Sequence, residues 1–250
     1  MRIITVSSFK GGTAKTSVSL NIGAVLAKKH KKKVLLIDFD AQANLTAGLG
    51  FDPDEHDSLA EVLLERKKIG DIILNTKIKN LDLIPADTWL ERVEVSGALA
   101  SDRYSHERLK RILKPLKYDY ILIDTPPSLC WLTESAFIAS DHCIVAATPE
   151  FYSVKGMQRL SLFMNNISKR HPLNVLGVVL SFWNNRGKNN SSFLSVINDT
   201  FPGKVLSYKI RKDVSIAEAS ILGKPVIETA PTSRASEDYV HVTKELLKKM

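Results

Sequence analysis

Two short runs constrain the fold more than anything else in the chain. Lys33–Asp38 (KVLLID) and Asp119–Asp124 (DYILID) are almost continuously apolar, and each ends on an acid. A strand with one wet face alternates apolar and polar residues, and these runs do not alternate. Both of their faces must be covered. Such strands, separated by helical stretches, predict an α/β fold: a mostly parallel, twisted sheet flanked by helices on both faces.

The rest of the chain repeats the alternation. Strands are expected over Arg2–Ser8, Leu81–Ala86, His142–Ala147 and Val175–Phe182. Helices are expected over Thr16–Lys29, Ser105–Lys114, Ser153–Arg170, Ser191–Thr200, Val214–Leu222 and Ser236–Lys249. Val18, Ile22 and Val25 give the first of these its helical spacing, Pro115 stops the second, and Gly223 caps the fifth. No internal repeat or low-complexity linker interrupts the series. Residues 1–250 therefore read as a single domain. In a sheet of this kind ligands bind beyond the carboxyl ends of the strands, so chemistry is sought there.

The first such end leads into Lys10-Gly-Gly-Thr-Ala-Lys-Thr-Ser17. Strand, glycine-containing loop and helix follow one another as a phosphate-binding loop requires. Backbone N–H groups of the loop and the helix N-terminus favour an anion. Lys15 is placed to meet terminal phosphates, and the Thr16 hydroxyl to meet Mg²⁺. The standard pattern GxxxxGK[ST] is not fulfilled, because Phe9 and Ala14 occupy its glycine positions. A Gly-Gly turn before an ordinary amphipathic helix is the alternative reading of the segment alone.

The second end reads Asp38-Phe-Asp-Ala-Gln-Ala-Asn44, and the third reads Asp124-Thr-Pro-Pro-Ser128. Carboxylates beside a phosphate–Mg²⁺ site hold the metal through water or position an attacking water. Taken together and in this order, the three segments resemble the deviant Walker A, DxDPQGN and DTPP motifs of the ParA/MinD/nitrogenase-iron-protein group of P-loop ATPases. The resemblance runs to about Glu228, and takes in Pro149–Gly156 (PEFYSVKG).

The resemblance implies a nucleotide site made of Lys10, Gly11, Gly12, Thr13, Ala14, Lys15, Thr16, Ser17, Asp38 and Asp124. It implies ATP/ADP and Mg²⁺ as cofactors. Thr16, Asp38 and Asp124 would serve the metal, the two acids through water. Asp40 would orient the attacking water, and Lys15 would contact the phosphates. Lys10 would reach across a nucleotide-sandwich homodimer to its partner's phosphates. Ala14 and Ala43 stand where most members have glycine. If Ala14 takes a positive φ, its Cβ costs about 1–2 kcal/mol.

Three outputs share such an engine. Ile210-Arg-Lys-Asp-Val-Ser-Ile-Ala-Glu-Ala219 and Gly223-Lys-Pro225 are similar to a segment of short, chromosomal ParA (Soj-type) proteins that bears DNA-contacting arginines. Lys212 falls on the first arginine position, Arg211 lies beside it, and Ser215 replaces the second. Arg211 and Lys212, with Arg186 and Lys188, are the candidate DNA contacts. A net charge of +8 suits phosphate partners without choosing among them. The implied function is ATP-dependent chromosome or plasmid partitioning, with non-specific DNA and a ParB-like activator as partners and slow turnover in the activator's absence.

The second output is a MinD-like, membrane-associated ATPase for division-site or protein positioning. It would use Tyr239–Met250, where Tyr239, Val242 and Leu246 recur at helical spacing beside lysines. No run nears the ~20 apolar residues that span a bilayer, so stable insertion is not expected. The third is electron transfer through a cluster shared by cysteines, and Cys130 and Cys143 are the only two present. Two cysteines outside any CxxC pair, and no signal peptide, point to a cytoplasmic protein, nucleoid-associated when ATP-bound.

Overall fold

The computed structural model describes residues 1–95, 99, 102, 104–149, 153–187 and 190–250. In chain order, β1 (Arg2–Ser7) leads through the glycine loop into α1 (Lys15–His30) and then β2 (Val34–Asp38). Three short elements follow: α2 (Asn44–Gly48), α3 (Leu59–Leu63) and β3 (Leu74–Asn75). Next come β4 (Leu81–Ile84), α4 (Trp89–Val95), α5 (Arg108–Leu113) and β5 (Tyr120–Asp124). The second half alternates α6 (Trp131–Ala139), β6 (His142–Ala147), α7 (Ser153–Ser168), β7 (Asn174–Leu180) and α8 (Asn190–Thr200). It closes with α9 (Val214–Ile221), α10 (Val226–Thr229) and α11 (Arg234–Leu247).

The strands form one seven-stranded sheet in the order β3-β4-β2-β5-β1-β6-β7. Every pairing is parallel except β3 with β4. The apolar runs are continuous because each strand feeds two cores. In β2, Val34 and Leu36 join the core beneath α1, α9 and α11, while Leu35 and Ile37 join the core beneath α3 to α6. All four side chains are fully buried, which stabilises the fold by roughly 2 kcal/mol each. A third core lies between β6, β7 and helices α6, α7 and α8. Helix α1 lies close against the sheet at Gly23, where a Cβ would stand 2.7 Å from Leu36 Cδ2.

The departures from expectation have local causes. The strand expected to reach Phe182 ends at Leu180, and Phe182 takes a positive φ of 54°. The expected helix Ser105–Lys114 starts as a 3₁₀ turn over Ser105–Glu107 before α5. Helix α11 begins two residues early because Ser233 caps it, accepting from the Ser236 N–H at 3.2 Å. Its apolar stripe, Tyr239, Val242 and Leu246, is buried against the α1 core rather than presented outward. Among the described residues no helix is long and apolar enough to cross a membrane.

Candidate nucleotide site

Lys15 and Thr16 open α1, and Ser19 lies four and three residues on from them, one turn away and between the two in direction. They meet Asp124, which ends the neighbouring strand β5 and is completely buried. Lys15 Nζ lies 3.1 Å from Asp124 Oδ1, and Thr16 Oγ1 donates to Oδ2 at 2.7 Å. Ser19 Oγ also donates to Oδ1, at 2.8 Å. Removing an ion from water costs several kcal/mol, and here three donors, one of them the Lys15 cation, offset it. Ser19 had no place in the sequence reading. Its signal was the Lys15–Ser19 spacing of four, which puts a hydroxyl one helical turn behind Lys15.

The loop closes over this cluster. Thr13 Oγ1 and Ser8 Oγ both donate to the Lys10 carbonyl, at 3.2 Å each. Ala14 is the residue before α1 and adopts φ 61°, ψ 22°, with no side chain capping the helix. Gly12 takes φ 77° beside it. The question the sequence left open is thereby answered: Ala14 does occupy the left-handed region. The first N–H groups of α1 have no side-chain acceptor, which is the condition for anion binding at a helix start. Phe9, in the first standard glycine position, packs into the third core against Gly156 of α7. A Cβ on Gly156 would stand 2.4 Å from Phe9 Cδ1.

The second strand end behaves differently for its two acids. Asp38 is fully buried and turned inward, where Oδ2 accepts from both the N–H and the hydroxyl of Thr46 at 2.8 Å. Burial, with Asp124 nearby, pushes the Asp38 carboxyl up to about 7, although the Thr46 bonds oppose this. Thr46 also accepts from the Ala86 N–H, so it ties α2 to the end of β4. Asp40 faces the cavity, with Lys15 Nζ 3.9 Å away. Its Oδ1 accepts from the Gln42 N–H at 3.1 Å. Burial raises its carboxyl above the ordinary range, against the pull of Gln42 and Lys15. Ala43, like Ala14, is left-handed, with φ 51°.

The resulting cavity has a volume of about 550 Å³ and runs from Lys10 and Asp40 to Leu20, Ala47 and Ser220. That is within the range of small-molecule sites. Among the described residues no three His, Cys, Asp or Glu side chains are grouped to hold a metal alone. Thr16 and Asp124 are the oxygen donors at the loop, a set that suits Mg²⁺ completed by phosphate and water.

The DNA candidates lie elsewhere. A parallel bridge between Trp183 and Arg211 sets the Arg186 loop beside Lys212. Arg186 and Lys212 are exposed. Arg211 is held locally: its guanidinium meets Asp238 at 2.7–3.1 Å and Glu237 at 3.3 Å. Ser215 is buried, its N–H held by the capping Asp213 at 3.1 Å. Lys188 lies outside the described residues, as do Glu150 to Tyr152 of the Pro149–Gly156 segment. Neither Cys130 nor Cys143 is in a disulfide, and Cys143 sits in the third core, where burial pushes its thiol up.

Comparison with known proteins agrees with this geometry. Residues 1–175 match a family described as an AAA domain. A ParA family protein of Chlamydia muridarum is 66% identical over 99% of this chain and 98% of its own. The sporulation initiation inhibitor protein Soj of Bacillus subtilis is 36% identical over 98% of each. Among solved structures, the septum site-determining protein MinD of Pyrococcus horikoshii, complexed with Mg-ADP, superposes with a TM-score of 0.80 at 27% identity. It covers 98% of this chain and 95% of its own. With a phosphate-type loop at the carboxyl edge of a parallel sheet, and full-length relatives of that kind, this chain belongs to the ParA/MinD family of P-loop ATPases.

Proposed function

We propose that residues 1–250 form one Mg²⁺-dependent partition ATPase domain, binding ATP/ADP and serving chromosome or plasmid segregation. One observation carries the reading: Lys15, Thr16 and Ser19 converge on the buried Asp124 beneath an uncapped helix start. Lys15 neutralises the terminal phosphates, and the backbone of Lys10 to Ser17, including Gly11, Gly12, Thr13 and Ala14, surrounds them. Thr16, and Asp124 through water, would hold the metal, which when bound supplies positive charge to the phosphate oxygens. Asp40, at the cavity wall, orients the attacking water. Asp38 would act on the metal through water, while its carboxylate holds the Asp40 turn by accepting from the Asp40 N–H and is itself fixed by Thr46.

Lys10, exposed at the loop's edge, reaches the nucleotide of a second copy, so ATP drives a homodimer. That dimer binds DNA without sequence preference, using Arg186, Lys188 and Lys212, with Arg211 shaping the surface from its Asp238 pairing. A ParB-like partner speeds otherwise slow hydrolysis and so releases the DNA. The protein works in the cytoplasm, on the nucleoid while ATP is bound.

Sedimentation and duplex-DNA anisotropy with ATP, ADP and no nucleotide test this across a salt series. ATP should dimerise the protein and strengthen a salt-sensitive DNA affinity. Lys15→Ala should lose ATP binding, whereas Lys10→Ala should bind ATP as a monomer and fail to dimerise. Unchanged ATP affinity in Lys15→Ala refutes the loop assignment. Equal turnover by Asp40→Ala and the wild type refutes the role of Asp40.

A further inference from the structure

Five of the six residues from Lys28 to Lys33 are lysines. They stand where α1 ends and β2 begins, at the amino edge of the sheet. The nucleotide loop is at the carboxyl edge, at the other end of the strands. Helix α11 brings its last turn to the same place: the Arg2 guanidinium meets the Met250 carbonyl where β1 starts. Lys244, Lys248 and Lys249 are exposed there.

A helix C-terminus favours cations, but that effect fades beyond the last turn, and Lys32 and Lys33 lie past it. Local acids do not account for the run either. Lys28 pairs with Glu228, and Asp119 accepts only the backbone N–H of Lys33. Among the described residues no carboxylate pairs with Lys29, Lys31, Lys32 or Lys33. His30, between them, is held below its ordinary value by burial and then by the charges of Lys32 and Lys244, which places those lysines in one field. The backbone adds a second sign. Lys31 caps α1 in the left-handed region, at φ 56°, where glycine carries no penalty. Lysine rather than glycine at that helix end adds one more cation to the surface.

We propose that Lys29, Lys31, Lys32, Lys33, Lys244 and Lys248 form a nucleotide-independent contact surface for the phosphate backbone of duplex DNA. It is separate from the Arg186–Lys212 surface and from the ATP loop. A membrane surface is the less fitting polyanion. An interfacial helix needs an apolar face to insert, and the apolar stripe of α11 is buried; the exposed large hydrophobic side chains placed beside these lysines are Met1 and Tyr208, the latter stacked on His241, and two isolated side chains do not make such a face. Contacts of this kind are sequence-independent and release counterions. In the cell they would leave the ADP-bound or free protein a weak, rapidly exchanging affinity for DNA, distinct from the tighter hold of the ATP-bound dimer that hydrolysis ends.

The test measures the full-length protein without nucleotide, so its outcome does not depend on whether ATP strengthens DNA binding. A fluorescein-labelled duplex of arbitrary sequence is titrated at 50–200 mM salt, in parallel with phosphatidylglycerol vesicles. The wild type should bind the duplex. Lys29→Glu/Lys31→Glu/Lys32→Glu should weaken that binding on the order of a hundredfold at 100 mM salt and flatten the log–log salt slope by about 2.7. Circular dichroism and ATP affinity check that the variant is folded. Lys31→Gly gives an independent reading: it should bind several-fold more weakly while melting at a higher temperature. Equal duplex affinity in the triple variant and the wild type overturns the proposal. So does wild-type binding to vesicles with none to duplex.

Discussion

Ala14 offers a direct measure of how much strain the phosphate loop carries. An L-residue in the left-handed region is destabilised by about 1–2 kcal/mol relative to its right-handed form. Ala14 sits there at φ 61°. Glycine removes that penalty but loosens the unfolded chain, which costs about 0.4–1 kcal/mol. Ala14→Gly should therefore stabilise the nucleotide-free protein by about 0.5–1 kcal/mol. For a chain of this size that raises Tm by roughly 1–4 °C. Differential scanning fluorimetry without nucleotide reads it. Ala24→Gly is the contrasting control, since Ala24 lies buried inside α1. Its loss of a buried methyl and of helix propensity should destabilise by about 1–2 kcal/mol. If Ala14→Gly lowers Tm as Ala24→Gly does, the strain argument is wrong, and with it the account of why alanine at this position matters.

Asp38 carries a pH signature. Its folded carboxyl is raised to about 7 from 3.8, so the folded state holds a proton that the unfolded state releases between those values. That stabilisation is complete below about pH 4 and is lost as pH rises towards 7. Urea melts at pH 5 and pH 8 should show Asp38→Asn losing less stability over that interval than the wild type, by an amount on the order of a few kcal/mol; an identical pH profile would count against it. Gly156→Ala drives a Cβ to 2.4 Å from the Phe9 ring and should cost about 1–3 kcal/mol. Adding Phe9→Ala should recover much of this, and additive losses in the double variant would rule out the contact. Arg211→Ala should lower stability by about 1–3 kcal/mol, because it leaves the 8%-exposed Asp238 without its cation. Lys212→Ala should leave Tm unchanged and weaken DNA binding, and a drop in Tm equal to that of Arg211→Ala would refute the distinction.

What could be read from the sequence was whatever repeats along it. The runs ending at Asp38 and Asp124 gave β2 and β5 to within a residue, because burial on both faces leaves no other composition. The phosphate loop was readable as strand, turn and helix in sequence. What could not be read depends on distant partners. Thr46 looks like any helical threonine until Asp38 is seen to accept both of its donors. Arg211 looks free until Asp238, 27 residues on, closes around it. Short elements such as α2, β3 and α10 have too few residues to show a period, and tertiary packing alone makes them regular. The φ of Ala14 is set by how the loop must turn, which its own side chain does not announce.

The Lys15–Asp124 contact joins residues 109 positions apart, across β1 and β5, strands laid down far from each other in time. Parallel pairing at such separation is slow to form. At about 5–20 residues per second of synthesis, roughly 5–20 s pass between the emergence of the phosphate lysine and that of its carboxylate. During that interval the loop exists without the acid that orients it. With the proposed assignment of the loop, ATP has no complete site on a growing chain until the sheet's central strand pair has closed, and nucleotide affinity becomes a report that the middle of the sheet has assembled.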